Sequence, residues 1–126
     1  MTSQNAGRPH YSPFTIGGGL VFVSGQLPLR PGRDTSLAEA PFKAQAEQAL
    51  LNLKTVLHDA GAELAQVIKT TVYLSDIADW DELDDVYGQF FGATRPSRSV
   101  VPTGPLHFGF RIEIEAIALA TKEAAA

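Results

Sequence analysis

The sequence predicts one mixed domain of strands and helices, and three observations carry that reading. Two stretches space apolar residues as a helix does, several short runs rich in β-branched residues read as strands, and glycines and prolines fall between them. The whole chain of 126 residues, 1–126, suits a single domain. A domain of that size buries roughly two thirds of its unfolded surface and needs no metal or disulfide staple.

Taken in order, residues 1–10 read as a flexible lead-in, and the glycines at 17–19 as a turn feeding a strand at 20–24. Those glycines precede a strand, whereas a phosphate-cradling loop follows a strand and opens a helix, so no nucleotide is implied. A Pro/Gly loop spans 27–36. Beyond it Phe42, Ala46, Ala49, Leu50, Leu53, Val56, Leu57 and Ala60 recur at helical spacing, with Pro41 suited to the first turn and Gly61 to the stop. The run "VIKTTVYL" at 67–74 reads as a strand, and the succession strand, helix, strand suggests a parallel crossover. A second helix is signed by Asp79 and Glu82, three apart as in a capping box, and Gly92 can end it. Its stripe of Trp80, Leu83, Tyr87 and Phe90 reads as core. Pro96 then breaks the chain before a short strand at 99–101. A loop and a last strand at 111–120 follow, and residues 121–126 read as a frayed tail.

Composition excludes several chemistries. Without cysteine there is no disulfide framework, thiol nucleophile or thiolate metal site. The net charge of −4, the pI near 5.2 and the lack of a Lys/Arg cluster weigh against a surface that tracks phosphates, and so against nucleic acid. No basic start with an apolar follow-on and no run of about 18 apolar residues is present, which predicts a cytosolic location away from membranes. His10, His58 and His107 show no metal-binding spacing, so no metal is expected. Ser24 lies in "VSGQ", outside a nucleophile elbow and without a visible base. His107, in the loop, could line a pocket, but an ordinary surface histidine is the favoured reading.

In the last strand, alternation sets Ile112, Ile114, Ala116 and Ala118 on one face and Arg111, Glu113, Glu115, Ile117 and Leu119 on the other. That second face is charged at one end and apolar at the other. Glu113 or Glu115 at the rim of a buried or intersubunit crevice would have a raised pKa suited to general-base work. An ion pair with Arg111 on an antiparallel sheet is the reading that the pattern alone favours. Arg98, between two serines, is either a fork for a carboxylate or an exposed side chain beside a turn. Spacing leaves both questions open.

Four motifs add a resemblance. "VFVSGQLPL" at 21–29, "QALLNLKTVLHDAGAELAQVIKTTVYLSDIADW" at 48–80, "YGQFFGATRPSRSVV" at 87–101 and "RIEIEAIA" at 111–118 resemble the reactive-intermediate deaminases. This is the Rid or YjgF-type family, also called the L-PSP endoribonucleases. The likeness runs from Tyr11 to Ala118. It implies an α+β fold of the chorismate-mutase-like type, a mixed sheet with two helices on one face, assembled as a homotrimer with three sites in the subunit clefts.

By the same resemblance, Arg98 matches the arginine that grips the substrate carboxylate and Glu113 the glutamate that positions water. Tyr11 matches an aromatic lid, and Ser24 with Gly25 the "SGQ" that shapes the pocket. The implied reaction is hydrolysis of a small 2-imino acid of the 2-aminoacrylate type, or its enamine, to a 2-keto acid and ammonia, with no cofactor. Three departures from the family pattern bear on substrate: Val100 stands where a cysteine is common, Asp84 where an asparagine is common, and "PHYSP" at 9–13 replaces the usual Gly-Pro before the tyrosine. Other readings remain beside it. One is deamination of a different catabolic enamine, such as an aminomuconate, using a remodelled loop at 103–110. Another is a non-enzymatic trimer that binds keto acids as a sensor or chaperone. RNA cleavage has least support.

Overall fold

A computed structural model describes residues 9–120. The tail at 121–126 and all of the expected lead-in except Pro9 and His10 lie outside the described residues. Five strands form one mixed sheet: β1 (Phe14–Gly17), β2 (Leu20–Gln26), β3 (Val67–Leu74), β4 (Ser97–Pro102) and β5 (Ile112–Leu119), in spatial order β1-β2-β5-β3-β4. Two helices, α1 (Phe42–Asp59) and α2 (Trp80–Phe91), pack on one face. The architecture is α+β, as expected.

Each element follows from local chemistry. Gly18 and Gly19 both take positive φ (60° and 79°), which lets β1 and β2 close a two-residue hairpin. The apolar stripe of α1 drives Phe42, Ala46, Ala49, Leu50, Leu53 and Leu57 into the core, against the buried Val21, Val23, Val72, Leu74, Ile112 and Ile114 of the sheet. Pro41 sits one residue earlier than expected, as the N-cap, where its fixed φ of −58° leads into the helix. Gln45, fully buried among these apolar groups, donates to the carbonyls of Ala38 and Ala40 and accepts from the Arg111 amide at 2.9 Å. It thereby joins the loop before α1 to the start of β5.

Four details differ from the sequence reading. β5 lies between β2 and β3 and runs antiparallel to both, so the crossover through α1 skips one strand; β3 and β4 are the adjacent parallel pair. β4 is longer than 99–101 because its register with β3 extends from Ser97 to Pro102. Asp79 makes no side-chain cap on α2. Its carboxylate instead takes two guanidinium hydrogen bonds from Arg111, at 2.6 and 3.2 Å, a bidentate pair between two charged groups, where a cap would pair the carboxylate with an uncharged backbone N–H. Arg111 is therefore spent on Asp79, not on Glu113 or Glu115. In α2 the buried residues are Leu83, Val86, Tyr87 and Phe91; Trp80 is exposed and Phe90 half-buried. No helix among the described residues is long and apolar enough to cross a membrane.

The face of the sheet away from the helices is open in one chain. It carries Tyr73, Glu113 and Glu115 toward one end and Phe22, Ile117 and Leu119 toward the other, with Phe22 and Leu119 exposed.

Candidate active site

The motif residues fall into two groups. Around Glu113, a cavity of about 320 Å³ is lined by Tyr11, Ser24, Gly25, Leu27 and His107. A bulge in β2 between Val23 and Gln26 turns Ser24 and Gly25 toward β5. The absence of a side chain at Gly25 is what admits the acid: a Cβ there would lie 2.9 Å from the Glu113 carboxyl carbon and 3.2 Å from its Cγ. Ser24 ties down the segment after Tyr11, donating its hydroxyl to the Ser12 carbonyl at 2.7 Å and its amide to the Pro13 carbonyl at 2.9 Å. Tyr11 itself stays 59% exposed at the cavity mouth.

Glu113 is half-buried, and burial pushes its carboxyl above the ordinary range; the neighbouring Glu115 pushes the same way, and His107 pulls back. Glu115 accepts a hydrogen bond from the Tyr73 hydroxyl at 3.3 Å. His107 lines this cavity while remaining exposed, which is the less favoured of its two sequence readings. Its ring stacks on Phe108 at 3.6 Å and 13°, and Phe108 meets the buried Phe110 edge-on at 6.0 Å. Phe108 holds a left-handed backbone (φ 64°, ψ 8°) to make that stack, a strained choice for an aromatic residue. The sequence signal was the aromatic spacing "HFGF", which has no meaning until the loop is folded.

Arg98 and Asp84 form the second group. They line a cavity of about 480 Å³ with Tyr87, Phe91, Arg95 and Pro96. One terminal nitrogen of Arg98 forms an ion pair with Asp84 at 2.9 Å, and the guanidinium lies 4.7 Å from the Tyr87 ring centre and 5.4 Å from that of Trp80. The Tyr87 hydroxyl is fixed at 2.8 Å from the buried Thr70 hydroxyl, so this aromatic floor is rigid. Tyr87, buried in the core as read, also supports the arginine, and so does Trp80, which read as core but is exposed. Val100 is half-buried against the core beside Val72.

Register separates the two groups within one chain. Arg98 stands opposite Thr70, whose side chain faces the helices, whereas Glu113 alternates with the core residues Ile112 and Ile114 and so faces the open side. The sheet thus lies between Arg98 and Glu113. Among the described residues no group of three or more histidines, cysteines and acids is placed to hold a metal ion.

Comparison with known proteins places this geometry in context. A family profile described as Endoribonuclease L-PSP matches residues 2–120. A RutC family protein of Pyrococcus horikoshii is 38% identical over 92% of this chain and 93% of its own. The human 2-iminobutanoate/2-iminopropanoate deaminase is 35% identical over 86% of this chain and 79% of its own. Among solved structures, that of E. coli TdcF with bound serine superposes with a TM-score of 0.81 at 35% identity, covering 90% of each chain.

Proposed function

Because the chain belongs to the endoribonuclease L-PSP family, which includes the Rid proteins and imine deaminases, we propose that it hydrolyses small 2-imino acids to 2-keto acids and ammonia. The observation that carries this reading is Glu113: a half-buried carboxylate with a raised pKa, seated against Gly25 at the wall of a cavity of small-molecule size. Such a base takes a proton from water as the oxygen attacks the imine carbon, and its protonated form then returns that proton to the departing nitrogen. Arg98 binds the substrate carboxylate through its planar fork. A protonated imine is already electrophilic, so positioning supplies much of the remaining rate and no cofactor is invoked.

The two groups lie on opposite faces of one sheet, so Arg98 and Glu113 must come from different copies to meet on one substrate. A homotrimer with sites in the subunit clefts meets that need. Its support is the unpaired outer edge of β4 and the open face with exposed Phe22 and Leu119, both of which a neighbouring copy would cover. The serine bound to TdcF is an α-carboxylate ligand, in keeping with an arginine anchor in this family. The carboxylates Glu113 and Glu115 would repel a phosphodiester, which weighs against RNA as substrate.

Complementation tests both parts at once. Arg98→Ala and Glu113→Gln should each be inactive on freshly generated 2-iminobutanoate. Co-expressed in mixed trimers, they should recover about one quarter of wild-type activity, since a cyclic interface pairs two intact groups at random with that frequency. Mixed trimers with no activity would place both groups in one subunit and overturn the shared site. Wild-type turnover in either single variant would overturn the assignment of that residue.

A further inference from the structure

The arginine that the proposed function uses as a carboxylate anchor is already partnered. Asp84, one turn before Tyr87 on α2, reaches Arg98 at 2.9 Å, while Tyr87 and Trp80 hold the guanidinium plane. Arg98 is the more enclosed partner, its side chain 19% exposed against 51% for Asp84. The acid is thus at the rim, and the arginine beneath it. A guanidinium has five N–H groups in a fixed fork, so a pair made at one terminal nitrogen leaves donors for a second carboxylate. That second carboxylate, however, binds within a few ångströms of a fixed negative charge.

We propose that Asp84 is a charge filter on Arg98, restricting the anchor to substrates with one negative charge and a neutral side chain. The inference rests on Arg98 being the anchor and deepens that reading by naming the substrate class. The physics is asymmetric. A monoanion gives up part of its attraction to Arg98 because Asp84 neutralises some of the field, but the residual attraction still favours binding. A dianion brings a further carboxylate that finds Asp84 at the rim and Glu113 and Glu115 across the proposed cleft. Like charges about 8 Å apart at an effective dielectric constant between the protein surface and water repel enough to weaken binding roughly 3- to 30-fold. Arg95 lines the same cavity and is exposed, as Asp84 is; its positive charge offsets part of this repulsion and holds the effect below the upper end of that range. Asp84 acts through Arg98 and as a fixed charge at the rim, and is a positioning and specificity residue, not a catalytic one.

The test uses two stable keto acids, 2-oxobutanoate and 2-oxoglutarate, titrated calorimetrically into wild type, Asp84→Asn, Asp84→Ser and Arg98→Ala. Asn keeps the size of the side chain and removes the charge; Ser shortens the side chain as well and serves if Asn folds poorly. Wild type should prefer 2-oxobutanoate. Removing the charge should tighten 2-oxoglutarate by about 10-fold and 2-oxobutanoate by about 3-fold, narrowing the preference. A preference unchanged in both Asp84 variants, or a wild type that already binds 2-oxoglutarate more tightly, overturns the filter. Arg98→Ala separates the two levels: if it binds both acids as wild type does, the anchor itself fails, whereas lost binding there with an unaltered preference in Asp84→Asn rejects the filter alone.

Discussion

Replacing Gly25 by alanine should remove activity while leaving the fold almost untouched. The added Cβ would stand 2.9 Å from the Glu113 carboxyl carbon and 3.2 Å from its Cγ, where ordinary contact is 3.4 Å or more. The Gly25 backbone is not in the left-handed region, so alanine is compatible with it and gains about 0.4 to 1 kcal/mol by restricting the unfolded chain. Against that stands overpacking, which costs about 1 to 3 kcal/mol in a rigid core. Here the clashing atoms are the end of a half-buried flexible side chain, which can rotate aside, so the low end applies and the two effects nearly cancel. Rotation moves the carboxylate by about 1 Å or more, and a misplacement of that size costs on the order of 100-fold in rate. The assay is keto-acid release from 2-iminobutanoate beside a thermal melt of the same sample. An alanine variant with wild-type kcat would refute the reasoning, because it would mean that the carboxylate works equally well elsewhere. A double variant sharpens this: in a Glu113→Gln background the alanine should cost little further rate.

Three other perturbations follow from the same contacts. Arg98→Lys keeps the charge but loses the planar fork between Tyr87 and Asp84, and should weaken 2-oxobutanoate binding roughly 10- to 150-fold by calorimetry. The raised Glu113 pKa puts the acid limb of the kcat profile above the ordinary glutamate value of about 4.3, with activity lost as pH falls through the folded pKa. The same shift has a stability sign: burying the ionised acid costs nothing below its unfolded pKa and costs progressively more as pH rises through the folded one, so Glu113→Gln should raise Tm at pH 8 and not at pH 4. Gln45→Leu leaves the Arg111 amide and the carbonyls of Ala38 and Ala40 without their partner, and should lower stability by about 2 to 4 kcal/mol in urea unfolding.

Local signals in the sequence carried the elements, and non-local ones carried what was missed. The stripe from Phe42 to Leu57 recurs every three to four residues, so α1 could be read within its own length. The alternation of β5 likewise showed that Glu113 and Glu115 share a face with Ile117 and Leu119. Alternation fixes parity only within one strand. That Arg98 faces the helices and Glu113 the open side depends on the pairing of Arg98 with Thr70 and of Glu113 with Tyr73, which no single run contains. Asp79 carried a sound local cap signal and lost it to Arg111, 32 residues away. His107 sits in a loop where its ring stacks on Phe108, which in turn meets Phe110 edge-on, contacts that no local pattern encodes. The roles proposed for Arg98 and Glu113 came from motif resemblance, since neither charge nor spacing distinguishes them from solvated residues.

The position of β5 has a consequence for how the molecule is made. The strand that carries Glu113 is the last in chain order among the described residues and the central one in space, with β2 and β3 both bonded to it and not to each other. Before residues 112–119 are available, nothing joins the β1-β2 hairpin to the β3-β4 pair, and the edges that β5 covers in the folded chain have no partner within it. Closure is one late insertion that joins segments far apart in sequence, the kind of step that makes folding slow for a domain of this size. Nascent chains should therefore depend on chaperone protection until β5 emerges, and the cavity around Glu113 should be the last part of the protein to form.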